Sequence, residues 1–89
     1  MNVQTDLFLS KKEQVYEFIK RRGRCRTSEV AAFGVSIYHP DRACRDARNL
    51  AEEGKIGRLR PELKKMFYGE TKEDVWSIYP HEWEKKDNR

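Results

Sequence analysis

The sequence has few of the residues that build membrane spans, disulfide scaffolds or metal sites. It holds two cysteines, three prolines and two histidines in 89 residues, and its apolar runs stay far below the ~20 residues that a membrane span needs. Cys25 and Cys44 are too few for a disulfide framework or a zinc site, and His39 and His81 lack neighbouring ligands at metal spacing. Residues 1–10 have no basic start and no apolar core, so they predict no secretory signal. We expect a reduced, cytoplasmic protein with no metal, no cofactor and no membrane association.

What is present indicates one small, charged domain. Hydrophobic residues make up 37% of the chain, charged residues make up 38%, and the mean hydropathy is −1.00. A chain of this length builds only a small core, which argues against a large internal active site. No nucleophile or carboxylate has a partner at motif spacing, and there is no phosphate-binding glycine loop, so we expect no enzyme.

Positive charge is concentrated in the middle of the chain. The whole chain carries +4, whereas residues 20–60 contain eleven basic side chains, nine of them arginine, against five acids. Arginine recognises phosphates and guanine edges with paired hydrogen bonds. An anionic polymer is therefore the first partner to consider.

Capping and periodicity predict three helices. Ser10 and Glu13 form a capping box before helix 1, over residues 11–22, and Thr27 is the N-cap expected for a short helix 2, over residues 28–33, that ends at Gly34. Leu7 and Phe8 would pack on helix 1 as a staple or form a short strand. Pro40 fits the first position of helix 3, which extends to about residue 53 with a small apolar stripe.

Strands are predicted after Gly54. Residues 55–60 read as the start of one strand, and residues 75–79 form the clearest strand, with Trp76 in the core. Residues 63–68 read as a hairpin arm or a short helical turn. We expect an N-terminal arm at residues 1–9, a domain at residues 10–79, and a charged, flexible tail at residues 80–89 that is anchored only by Trp83.

This order of elements resembles the winged helix-turn-helix family over residues 10–79. The resemblance is carried by Thr27-Ser28-Glu29-Val30-Ala31, by Gly34-Val35-Ser36 at the turn, by Leu50-Ala51-Glu52-Glu53-Gly54-Lys55-Ile56, and by Trp76-Ser77-Ile78-Tyr79 as the returning wing strand. It implies an α+β fold of three helices followed by a β-hairpin wing. Within this family, the chain resembles the small regulators of prokaryotes, phages and archaeal viruses. The interval before helix 3 is longer than in compact members, and the acidic wing tip disfavours contact with phosphates.

The resemblance makes helix 3 the recognition helix, which would lie in a DNA major groove. Its exposed side predicts four base-contacting residues, because arginine pairs with guanine and asparagine with adenine: Arg42, Arg45, Arg48 and Asn49. The alternative is a solvated face with i,i+4 ion pairs, Asp41–Arg45 and Arg48–Glu52.

Phosphate contacts are predicted on three segments around that helix. They are the junction of helices 1 and 2, the turn before helix 3 and the base of the wing, with these residues: Arg21, Arg22, Arg24, Arg26, Thr27, Ser28, Tyr38, His39, Arg58 and Arg60. Backbone amides near Thr27 and Ser28 would add an anion site at the start of helix 2. The arginines around Cys25 would lower the pKa of its thiol and favour reactivity, although cysteines more often act as small apolar filler.

The predicted function is sequence-specific binding of double-stranded DNA by a transcriptional regulator. A palindromic site would require a homodimer, and the sequence shows no small-molecule ligand. Two alternatives are a winged helix that binds another protein and RNA binding by the same basic face.

Overall fold

The computed structural model of the chain describes residues 9–84. This part is α+β, as predicted, with four α-helices and one three-stranded antiparallel sheet. Leu7 and Phe8, and the tail beyond Glu84, lie outside the described residues. The elements, in chain order, are α1 (Lys11–Arg22), β1 (Arg24–Arg26), α2 (Thr27–Ile37), α3 (Pro40–Glu52), β2 (Gly57–Arg58), α4 (Pro61–Tyr68), β3 (Val75–Ser77) and a 3₁₀ turn (Pro80–Glu82).

Helix α1 has the predicted bounds because both of its ends are capped. The Glu13 backbone N–H donates to Ser10 Oγ at 3.1 Å, and the Ser10 N–H donates to the Glu13 carboxylate at 2.8 Å. This reciprocal pair satisfies two amides that a helix start leaves unbonded. The helix ends at Gly23, whose φ of +81° favours glycine.

Helix α3 confirms a second prediction. His39 caps it through Nδ1, which accepts the Asp41 N–H at 3.1 Å, and Pro40 occupies the first position. Ala43, Ala47 and Leu50 form its buried stripe. Small side chains on that stripe let α3 pack closely against α1 and α2.

Helix α2 corrects the prediction that Gly34 ends it. The helix starts at Thr27, one residue earlier than predicted, and continues through Gly34 to Ile37. A Cβ at Gly34 would lie 2.6 Å from the Cβ of Ala43 and 2.7 Å from the His39 carbonyl oxygen. Glycine is needed there because α2 and α3 approach each other closely. Because α2 extends to Ile37, the connection before α3 is a short turn and not the long segment that was predicted.

The sheet has the order β1-β3-β2, with both neighbouring pairs antiparallel. Strand β1 was not predicted: Arg24 lies opposite Ser77 and Arg26 lies opposite Val75. The two arginines are therefore held on a sheet edge, whereas the sequence placed them at a junction between helices. A strand of three residues carries little local signal, because its stability comes from pairing with a distant strand.

Helix α4 lies between the two predicted strands. Pro61 stands at its first turn, and Gly69, at φ +73°, follows its last residue. The open choice for residues 63–68 is therefore settled as a helix. The predicted hairpin becomes two paired strands joined by α4 and by residues 69–74, which we call the acidic loop because they include Glu70, Glu73 and Asp74.

The core lies between the three N-terminal helices and one face of the sheet. Its buried side chains come from α1, α2, α3, strands β1 and β3, and the residue before β2: Val15, Ile19, Cys25, Val30, Ala43, Ala47, Leu50, Ile56 and Trp76. Packing continues past Tyr79, since the Trp83 indole N–H donates to the Ser77 carbonyl at 2.7 Å and the Glu84 N–H donates to the Arg58 carbonyl at 2.7 Å. In residues 9–84, none of the helices has the length and apolar character to cross a membrane.

Candidate nucleic-acid interface

The exposed face of α3 presents arginines that have no acidic partner among residues 9–84. Arg42, Arg45 and Arg48 are all exposed and lie opposite the buried stripe of the helix. Among the described residues, none of the three has a carboxylate oxygen within 4.0 Å, so the alternative ion pairs with Asp41 and Glu52 do not form. We call these three side chains the α3 arginine face. Asn49 lies on the same side and is half-buried.

Two more arginines without an ion pair in the described part of the chain lie at the end of α1. Arg21 and Arg22 are exposed, and the ion pairs found within residues 9–84 involve neither. The Arg22 guanidinium lies 5.0 Å from the centroid of the Phe18 ring, which stacks on Phe33 at 4.3 Å. This contact holds Arg22 in place without neutralising its charge.

Arg24 is paired with a buried acid. Its Nε and Nη2 donate to the two carboxylate oxygens of Glu82 at 2.9 and 2.5 Å, and Ser77 Oγ donates to the same carboxylate at 2.9 Å. The hydrogen bonds from Arg24 lower the pKa of Glu82 against the effect of burial, which raises it. The Phe67 ring also lies over the guanidinium, at 4.3 Å. Through its bonds to Glu82, Arg24 holds the 3₁₀ turn against the sheet.

Three more predicted phosphate contacts have carboxylate partners. Arg26 lies 3.4 Å from Glu29, Arg58 lies 3.1 Å from Asp74, and Arg60 lies 3.6 Å from Glu62. All of these pairs are partly open to water and so contribute little stability. They do reduce the positive charge that these arginines offer to a ligand.

The start of α2, predicted as an anion site, has its own acids. The Ser28 N–H donates to the Glu73 carboxylate at 2.8 Å, and Ser28 Oγ lies 3.3 Å from its other oxygen. Thr27 donates through both its backbone N–H and its hydroxyl to the Asp74 carbonyl, at 3.0 and 2.8 Å. The acidic loop after α4 therefore folds back onto this helix end.

Tyr38 and His39 have structural partners. Tyr38 donates its hydroxyl proton to Asp46 at 2.5 Å, and burial together with that carboxylate raises the pKa of the phenol. His39 is the N-cap of α3. Both residues fix the start of α3 beside α2.

The two cysteines are free thiols within the fold. Cys25 is buried, and burial raises the pKa of its thiol to about 12, although Arg22 and Arg26 lower it. The suggestion that nearby arginines make Cys25 reactive is therefore wrong, because desolvation of the thiolate outweighs them. Burial also raises the pKa of Cys44.

Two structural features were missed by the sequence analysis. Glu82 and Glu73 pair with groups 58 and 45 residues away, a separation that leaves no sequence signal. The second feature is a cleft beside Trp76 and Trp83, which the sequence treats only as core and anchor.

Comparison with known proteins gives one positive result. A protein-family model described as "FaeA-like protein" matches residues 11–61, from the start of α1 to the start of α4. No curated protein and no solved structure matches the chain. The matched region covers more than half of the 89 residues, and it holds the five arginines that have no ion pair within residues 9–84. The chain therefore belongs to the FaeA-like family.

Proposed function

We propose that the chain is a sequence-specific regulator that binds double-stranded DNA through a winged-helix fold. Its family supports this, since FaeA-like proteins form a winged-helix-like family of regulators. The order of elements also supports it: α2 and α3 pack at a tight turn, and β2 and β3 follow as the paired strands of the wing. In this proposal α4 is an insertion within the wing.

The α3 arginine face is the observation that carries the proposal. Three exposed guanidiniums, none with a carboxylate partner in the described part of the chain, stand on one side of a helix that small residues hold against the core. Asp46, the acid in the middle of α3, is occupied by Tyr38, while Asp41 and Glu52 lie near its two ends. Arg42, Arg45 and Arg48 would read base edges in the major groove, with Asn49 beside them.

Phosphate contact is assigned first to Arg21 and Arg22, because both are exposed and neither has an ion pair within residues 9–84. Arg24 has a structural role with Glu82 and is the weakest candidate among the predicted contacts. Three other predicted contacts would have to exchange an exposed carboxylate for a phosphate: Arg26, Arg58 and Arg60. This exchange requires little free energy, because ion pairs exposed to water are weak.

A second candidate function is binding to another protein, and α4 favours it. Met66 is 70% exposed and Phe67 is 45% exposed, and both are large apolar side chains. RNA binding by the basic face is the third candidate, because phosphates attract the same arginines.

The test is fluorescence anisotropy of a labelled random DNA duplex, titrated with the protein at several salt concentrations. We expect binding that weakens steeply with salt, with log K falling by about 0.9 per log unit of salt for each phosphate contacted. Selection from a random library would then yield the preferred site. An RNA duplex of the same length serves as the competing ligand.

Matched variants separate the roles of the arginines. Arg45→Gln should weaken binding to the selected site by about 1–3 kcal/mol and relax its sequence preference, whereas Arg22→Gln should lower the salt slope by about 1 for all sequences. Lys72→Gln is the control, since this exposed lysine lies outside α3 and outside the predicted contacts. Absence of binding at ~50 mM salt would refute the proposal and favour the protein-binding candidate.

A further inference from the structure

The acidic loop lies against two groups that the sequence predicts as DNA phosphate contacts. Glu73 accepts the Ser28 backbone N–H at 2.8 Å, and its other carboxylate oxygen accepts the Ser28 hydroxyl at 3.3 Å. The Asp74 carboxylate accepts a hydrogen bond from Arg58 Nε at 3.1 Å. Ser28 belongs to α2 and Arg58 belongs to β2. One loop therefore places a carboxylate on a predicted contact of each of two separate elements.

Backbone hydrogen bonds hold the loop in this position. The Asp74 carbonyl accepts both the backbone N–H and the hydroxyl of Thr27, at 3.0 and 2.8 Å. The Glu73 carbonyl accepts a hydrogen bond from Lys64 Nζ on α4, at 3.1 Å. The next residue, Val75, begins β3 and is fixed by the sheet. We therefore expect the loop to keep its place when its carboxylates are neutralised.

The carboxylates of the loop and the phosphates of DNA need the same hydrogen-bond donors, because both are oxygen anions. The side chains of Arg58 and Asp74 are each 47% exposed, and Ser28 is exposed as well. A phosphate can approach both groups from the solvent, but it must displace a carboxylate to bind. Ion pairs as open to water as these are weak, so the loop competes with a phosphate and does not block it.

We propose that the acidic loop is an autoinhibitory element for DNA binding. In the free chain Glu73 occupies Ser28 and Asp74 occupies Arg58, and DNA gains these two contacts only by displacing the carboxylates. The inference rests on the proposed function and adds to it a limit on affinity that is built into the fold.

The test compares three variants in the anisotropy titration of the labelled duplex: Glu73→Gln, Asp74→Asn and Glu70→Gln. Each removes one negative charge from the same loop. Glu70 is the matched control, because its partner is Lys65, at 3.4 Å, and not a predicted phosphate contact. We expect Glu73→Gln and Asp74→Asn each to tighten DNA binding about threefold, as the weakness of exposed pairs allows. The control should give a clearly smaller gain, from net charge alone.

Two further measurements distinguish competition from a general effect of charge. Asp74→Asn should raise the salt slope by about 0.9, because Arg58 then contacts one more phosphate, whereas Glu73→Gln should leave the slope unchanged because Ser28 is uncharged. The gain from Asp74→Asn should disappear when Arg58→Gln is already present. Circular dichroism verifies that each variant is folded, and Asp74→Asn suffices for the test if Glu73→Gln does not fold.

The outcomes separate this inference from the proposed function. Equal affinities for the three single variants overturn the inference and leave DNA binding established, and so does a gain from Asp74→Asn that persists without Arg58. Absence of DNA binding by the native chain and by every variant refutes the proposed function, and the inference with it.

Discussion

The pair formed by Arg24 and Glu82 allows a prediction of stability to be worked out in detail. The Glu82 side chain is 7% exposed and accepts hydrogen bonds from Arg24 and Ser77. Arg24→Met would leave this carboxylate buried without its counter-charge. Breaking a buried ion pair in this way costs about 3–5 kcal/mol, and we expect about 3 kcal/mol because water reaches the Arg24 side chain, which is 32% exposed. The melting temperature should fall by about 12 °C or more.

The pH dependence of this loss has a defined sign. In the native chain the pKa of Glu82 lies below its ordinary value of 4.5, so its stabilising contribution is present above pH 4.5 and is lost as the pH falls further. In Arg24→Met the largest contribution that lowers this pKa is gone, while burial, which raises it, and the Ser77 hydrogen bond, which lowers it, both remain, so the pKa of Glu82 is higher in the folded variant than in the native chain. The difference in the free energy of unfolding between the native chain and the variant should therefore be smaller at pH 4 than at pH 7.

The assay is thermal and urea unfolding, followed by circular dichroism at both pH values. Arg24→Met with Glu82→Gln should recover much of the loss, because the buried charge is then gone. A loss below 1 kcal/mol at pH 7, or a loss that is the same at pH 4, would refute the reasoning.

Four further predictions concern close packing and thiol chemistry. Gly34→Ala should destabilise the fold by about 1–3 kcal/mol in urea unfolding, because its Cβ would meet Ala43 at 2.6 Å, and an unchanged midpoint would contradict that contact. Gly57→Ala places a Cβ 2.3 Å from the Trp83 ring, and it should shift tryptophan emission to the red as the ring is displaced. Cys25 should resist a thiol reagent at pH 8 in the folded chain and react after unfolding, because its thiol is buried with a pKa of about 12. The same pKa shift predicts that stability falls above pH 9, since the unfolded thiol ionises first.

The elements that the sequence predicted well are those whose signals are local. The box of Ser10 and Glu13 and the Pro40 start of α3 lie within one helical turn of what they specify. Strand β1 exists because Arg24 and Arg26 pair with a strand about fifty residues later, and no local pattern marks it. Gly34 carries a local signal that misleads, since glycine usually ends a helix and here serves a helix crossing.

The candidate interface was predicted as a set of arginines, and the structure divides that set. Arg24, Arg26, Arg58 and Arg60 have carboxylate partners, and three of the four lie on the sheet or at its edge. Sequence reasoning cannot make this division, because partners such as Glu82 and Asp74 are 58 and 16 residues away.

The lack of a carboxylate partner identifies candidate phosphate-binding arginines better than arginine content alone does. A paired arginine must release its carboxylate before it can bind a phosphate. Arg21, Arg22, Arg42, Arg45 and Arg48 meet that criterion among residues 9–84, and they come from the C-terminal end of α1 and from α3 alone. If DNA is the ligand, neutralising these five should remove most of the salt dependence of binding. Neutralising Arg24 instead should lower stability and leave the salt dependence of DNA binding nearly unchanged, since its guanidinium is already paired with the Glu82 carboxylate.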